Sequence, residues 1–95
     1  MNLQQIQLLK QVWQGPLLNG SFAVVVVNRF NETKNITMDW AKDAAIPVTS
    51  GNNLFELQDL WSGEILGQIV VGENVWNGVL ATHQNQAFKL SPVVS

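Results

Sequence analysis

Four consecutive valines, Val24 to Val27, sit inside the stretch SFAVVVVNRF at residues 21–30, and no other segment restricts the fold as much. A β-branched side chain loses rotamer freedom against the preceding turn of a helix, whereas the pleat of a strand accommodates it. With no polar residue at alternate positions, the run reads as a strand buried on both faces, the mark of a central strand. Something must cover both faces, which calls for a layered β architecture.

The segments that follow fit such a design. NETKNITMDW (31–40) turns at Asn31-Glu32 and then alternates, with Ile36, Met38 and Trp40 on one face and Thr37 and Asp39 on the other. Residues 41–53 are a connection in which Pro47 permits only an edge strand, expected around Val48. LFELQDL (54–60) pairs across a Ser62-Gly63 turn with EILGQIVV (64–71). Gly72-Glu73-Asn74 turns that strand into VWNGVLAT (75–82), and NQAFKLS (85–91) puts Phe88 and Leu90 on one side. Ahead of the valine run, Leu3, Ile6, Leu9 and Val12 or Trp13 recur at helical spacing, which predicts a short amphipathic helix over 3–13. Gly15-Pro16 and Asn19-Gly20 read as two separate chain reversals. The expectation is an all-β, antiparallel β-sandwich of Greek-key type with six to eight strands. Residues 1–11 form an N-terminal helix or linker segment, and 12–95 the sandwich domain.

Bulk properties narrow the function classes. A chain of 95 residues has room for one domain, and 46% hydrophobic against 13% charged residues places it among folding rather than disordered sequences. Its five cations, Lys10, Arg29, Lys34, Lys42 and Lys89, are scattered, and the net charge is −2, so no basic stripe addresses nucleic acid. The absence of cysteine removes disulfides, thiolate metal sites and cysteine nucleophiles, and the single His83 cannot build a histidine-rich metal site. No cofactor or metal is indicated. The longest apolar run, Phe22–Val27, is about a third of what a membrane-spanning helix requires, and no secretory leader opens the chain, so a soluble protein without membrane contact is expected.

Catalytic constellations are hard to assemble from these residues. Asp59 and Glu64 flank a turn and form the nearest carboxylate pair, but turn capping and solvation account for both. Asp59 is expected to accept hydrogen bonds from backbone N–H groups just beyond it, with Gly63 taking a positive φ. Trp61 is then expected to fold over the open end of the sandwich as a buried plug. Four tryptophans without a tyrosine are the feature most open to a binding role, since indoles stack on sugar rings, and Trp76 is the candidate sugar contact because both faces of its strand are partly apolar. Asn19, Asn31 and Asn35 each open an N-glycosylation triplet in or next to a turn, acceptors if the chain is exported.

The order of these pieces carries a resemblance. VWQGPLLNGSFAVVVVNR, then ITMDW, LQDLWSGEILG and VLATHQNQAFKLSP, is similar to the C-terminal β-sandwich of α-galactosidases and α-N-acetylgalactosaminidases of glycoside hydrolase family 27. Val12, Trp13, Pro16, Leu17, Ala23, Val24, Asn28, Arg29, Asp59, Leu60, Trp61, Gly67 and His83 fall on that family's pattern in order. The resemblance implies a non-catalytic accessory domain, because the family's two catalytic aspartates lie in a separate (β/α)₈ barrel, and no active-site residue transfers to this chain. It implies that Trp13, Trp40 and Trp61 serve the core or a domain contact, and that His83 fixes a loop before the final strand. The partners it suggests are a catalytic barrel domain or, with no barrel, a second copy docking through the Leu3, Ile6, Leu9, Val12 stripe and an uncovered apolar face. The alternative is a free-standing carbohydrate-binding module.

Overall fold

The computed structural model describes residues 10–93, over which the chain forms seven strands. These are β1 (Lys10–Pro16), β2 (Phe22–Asn28), β3 (Lys34–Asp39), β4 (Leu54–Asp59), β5 (Ile65–Val70), β6 (Val75–Leu80) and β7 (Asn85–Pro92). They make two antiparallel sheets, one ordered β1-β2-β7-β4-β5 and the other β3-β6, packed as a β-sandwich.

The valine run becomes β2, flanked by β1 and β7. Val24 and Val26 are fully buried toward the second sheet, while Val25 and Val27 are only half-buried on the outer face, so cover is complete on one side alone. Alternation in β3 sends Ile36 and Met38 into the core, with Trp40 beyond the strand end. From β7, Phe88 and Leu90 join them. Phe88 lies at the centre: the Trp40 ring meets it edge-on at 5.3 Å and the Trp76 ring at 5.4 Å.

Four expectations are corrected. The helix over 3–13 fails where it can be judged, because Lys10 to Trp13 pair with Asn28 to Val25 as strand; residues 1–9 lie outside the described part. Local spacing favours a helix there, but an extended β1 gains a full ladder of hydrogen bonds along β2. Gly15-Pro16 is the end of β1 rather than a reversal, opposite Ala23 and Phe22. The reversal is a 3₁₀ turn at Leu18–Gly20, where Asn19 and Gly20 have φ of 62° and 74°. No strand forms around Val48, which is exposed in a segment with no ladder partner. Finally, β5 and β6 do not form a hairpin, since the turn at Gly72 (φ 97°) passes the chain into the other sheet, where β6 pairs with β3.

Residues 41–53 do more than connect. Ala44 and Ile46 are buried in the core, so this segment fills part of the layer that a two-stranded sheet leaves open. Its start is held by Asp39, whose Oδ1 accepts the N–H groups of Ala41 (2.8 Å) and Lys42 (2.9 Å). Those bonds, the Lys42 N–H foremost, keep the Asp39 carboxyl below its ordinary range.

One polar side chain ties the layers together. Asn28, fully buried at the end of β2, donates through Nδ2 to the carbonyls of Leu80 (2.8 Å), Glu32 (3.1 Å) and Ala81 (3.2 Å). Its Oδ1 accepts the Phe30 N–H at 2.8 Å. Asn28→Ala removes the partner of the buried Leu80 carbonyl and of three part-buried groups, and is expected to cost about 2–4 kcal/mol in urea denaturation. A loss below about 0.5 kcal/mol would mean that the amide is dispensable.

Candidate functional site

The outer face of the five-stranded sheet is the first candidate. Trp13 stands there because Val12 beside it packs against the core, and alternate residues of a strand face opposite ways. A cross-strand row runs from Trp13 to Val25 to Ala87, and the Leu60 N–H bonds the Ala87 carbonyl at 2.9 Å, extending the row to the β4–β5 turn. Trp13 is 63% exposed, Leu60 43% and, next in the chain, Trp61 65%. Ile65 and Leu66, across the same turn, are also exposed. The row itself is mainly apolar, and beside it on the same face stand Lys89 of β7 and Gln58 and Glu56 of β4.

Trp61 is therefore not a plug. The turn closes without its ring: Asp59 Oδ1 accepts the N–H groups of Trp61 (2.8 Å) and Ser62 (3.3 Å), the Gly63 N–H reaches the Asp59 carbonyl at 2.7 Å, and Gly63 takes a φ of 79°. The backbone chemistry follows the sequence expectation, but it points the indole outward. Partial burial pushes the Asp59 carboxyl up, yet the N–H groups of Trp61 and Ser62 offset this and leave it below its ordinary range.

The second candidate is a groove of about 750 Å³ where the sheets part beside β1 and β3, the end strands of their sheets. Trp13, Gln11, Asn35 and Thr37 line it. Lys10 crosses it, with Nζ donating to the Thr37 carbonyl at 3.0 Å and to Asp43 Oδ2 at 3.4 Å. An exposed indole beside amide and hydroxyl groups has the chemical make-up of a sugar-binding surface.

The remaining sequence candidates are dispersed. Trp76 is half-buried against Phe88 and lies over Gly78, where an added Cβ would collide with its ring, so its position is one of packing. Trp40 is fully buried. His83 is exposed in the β6–β7 loop at a φ of 61°, and the contact that closes this loop belongs to its neighbour Gln84, whose Oε1 accepts the Ala81 N–H at 2.8 Å. Nothing bonds His83 to Asp59 among the described residues, and Asp59 meets Glu64 only through main-chain atoms. Asn19, Asn31 and Asn35 are all exposed. Among the described residues no group of three or more His, Asp or Glu is placed to hold a metal, and no helix is long and apolar enough to cross a membrane. Sequence reasoning missed the structural weight of Asn28, whose partners Leu80 and Ala81 are distant in the chain, and of Gln84, whose side chain closes a loop onto Ala81 three residues before it.

The profile of the α-galactosidase C-terminal β-sandwich domain family matches residues 9–90. The chain belongs to that family. Solved structures sharing the fold include α-galactosidase I from Mortierella vinacea, at a TM-score of 0.72 and 22% identity over 94% of this chain and 23% of that one. A GH27 β-L-arabinopyranosidase from Geobacillus stearothermophilus, in complex with arabinose, matches at a TM-score of 0.69 and 25% identity over 87% of this chain and 17% of that one. The α-galactosidase from Saccharomyces cerevisiae, with raffinose, matches at a TM-score of 0.75 and 15% identity over 88% and 28%. The sandwich thus spans less than a third of these enzymes. A comparison with curated proteins finds no match.

Two substitutions separate the tryptophans by environment. Trp61→Ala is expected to move stability by less than about 1 kcal/mol, whereas Trp40→Ala removes a closed core ring and should cost about 3–5 kcal/mol. Equal losses would contradict the outward placement of Trp61. Asp59→Ala should lower the urea midpoint at neutral pH. Because the folded-state pKa of Asp59 is depressed, its contribution is present above the unfolded carboxylate value and is lost as pH falls through the depressed one. The gap between wild type and variant should therefore narrow on acidification, and a widening gap would reverse the assignment.

Proposed function

We propose that the sandwich is a non-catalytic accessory domain that packs against a catalytic domain of the barrel type carried by its family and stabilises it. The observation behind this reading is the row from Trp13 to Leu60, ending at Trp61. A monomer seldom leaves two tryptophans more than half exposed on one structural frame, and such surfaces mark interfaces. Wherever the sandwich occurs apart from a barrel, a second copy is the substitute partner, since one apolar face can cover its own image. The groove beside Trp13 favours the carbohydrate-binding alternative as the second reading.

The test is a pull between a family 27 α-galactosidase trimmed of its own C-terminal sandwich and this protein added in trans. Thermal stabilisation of the trimmed enzyme, lost with the Trp13→Ser and Trp61→Ser variants, supports packing through this face. Stabilisation that both variants retain would place the contact elsewhere, and none at all would remove the accessory reading. Light scattering of the isolated protein should show mass rising with concentration.

Alone, the protein is expected to release no product from a chromogenic α-galactoside. Titration with galactose or a short galactoside, followed by tryptophan emission, should give no saturable change at millimolar sugar. A saturable change lost in Trp13→Ala would promote the groove from second reading to first.

A further inference from the structure

We propose that Asn19 is a site of spontaneous deamidation, a chemical clock placed in the β1–β2 connection and absent from the chemically identical pair in β6. The sequence holds two Asn-Gly pairs, Asn19-Gly20 and Asn77-Gly78. Glycine after asparagine is the sequence that favours this reaction, because no side chain obstructs the attacking amide. The deprotonated Gly20 nitrogen attacks Cγ of Asn19, the side-chain nitrogen leaves as ammonia, and a five-membered succinimide forms. Water then opens the ring. Cleavage of the bond between the ring nitrogen and Cγ gives aspartate, and cleavage at the main-chain carbonyl gives isoaspartate, with the backbone rerouted through Cγ. Amide and water become carboxylate and ammonium, and no other reactant is required.

The fold treats the two pairs differently. Asn19 is exposed, sits at a φ of 62° in a single 3₁₀ turn, and makes no side-chain hydrogen bond among the described residues. The turn is restrained by a bond from the Ser21 N–H to the Leu18 carbonyl at 3.3 Å, at the long end of the range, and by one from the Leu17 N–H to the Ser21 carbonyl at 2.8 Å. Asn77 is paired opposite Thr37 in the β3-β6 ladder, and its Oδ1 accepts the Thr37 hydroxyl. Gly78 is enclosed as well, with the Trp76 ring filling the space a Cβ would occupy. Swinging the Gly78 nitrogen toward Cγ of Asn77 breaks the ladder, whereas the same motion at Asn19 disturbs one surface turn.

The product has consequences for the molecule. Each event adds one negative charge to a chain of net −2, and it destroys the Asn19-Gly20-Ser21 glycan acceptor, because the nitrogen that leaves is the one a glycan would take. An isoaspartate also lengthens the main chain within a turn packed near Pro92, whose Cγ lies 3.6 Å from where a Gly20 Cβ would stand.

The full chain, unglycosylated, is held folded in mildly alkaline buffer, sampled over days and digested under acid conditions for peptide mass spectrometry. The peptide with Asn19 should gain one mass unit and split into aspartate and isoaspartate forms, at least about tenfold faster than the peptide with Asn77, because attack at Asn77 awaits strand opening. In denaturant the two rates should converge. Comparable rates in the folded protein, a faster Asn77, or a difference that survives denaturation would each overturn the assignment.

Discussion

The sandwich depends on the buried amide of Asn28, because apolar packing alone would not fix how its two layers sit. Hydrophobic burial is non-directional, so the contacts among Val24, Val26, Ile36, Met38 and Phe88 are less exacting about register than a hydrogen bond is. Asn28 adds that constraint. From β2 in the large sheet it reaches the Leu80 carbonyl at the end of β6 in the small one, the Ala81 carbonyl in the next loop, and Glu32 and Phe30 in the turn that leads to β3. Both connections between the layers at this end are thus referenced to a single side chain. Removing it would unpair the buried Leu80 carbonyl and three part-buried groups together, which is why such a network specifies one arrangement rather than several.

The other end solves a different problem. Two strands make a poor layer by themselves, and β3-β6 has to cover five. The 41–53 segment supplies what is missing by placing Ala44 and Ile46 in the core. It can leave the strand and return because Asp39 holds the N–H groups of Ala41 and Lys42, and because the Ile46 N–H bonds the Trp40 carbonyl at 3.1 Å. The length of this connection is used to build part of a wall.

What the sequence made legible was local and periodic. The alternation of β3, the β4–β5 hairpin with its Asp59 cap, and the pairing of Phe88 with Leu90 on one face follow from period two and turn chemistry, and the ordered motifs identify the family. What it hid was set by partners far along the chain. Lys10 to Trp13 look helical until β2 offers them a ladder. β5 and β6 look like a hairpin because neighbours in sequence usually pair, yet Met38 and Trp76 face each other across β3-β6 instead. Trp61 was misjudged for another reason: hydrophobicity says that an indole should be inside, but the direction of a turn side chain is decided by the Asx geometry before any transfer energy is gained. Asn28 gives no sign in sequence of the four groups it serves.

The outward tryptophans make physical sense only together with the rigidity beneath them. A large side chain held in water on a mobile loop would lose much of its contact energy to ordering when a partner arrived. Here the backbone that carries each indole is ordered on folding. Trp13 is fixed by its pairing with Val25, and the backbone of Trp61 by its bond to Asp59. Leu60, beside Trp61, is three strand spacings from Trp13, roughly 14 Å across the sheet. A partner that touches both ends of this row meets one body, whose spacing is set by the β1-β2-β7-β4 ladders rather than by side-chain choice. What the face supplies is area and fixed spacing, with Lys89 opposite Ala23 on one side and Gln58 on the other as a polar border to the apolar row.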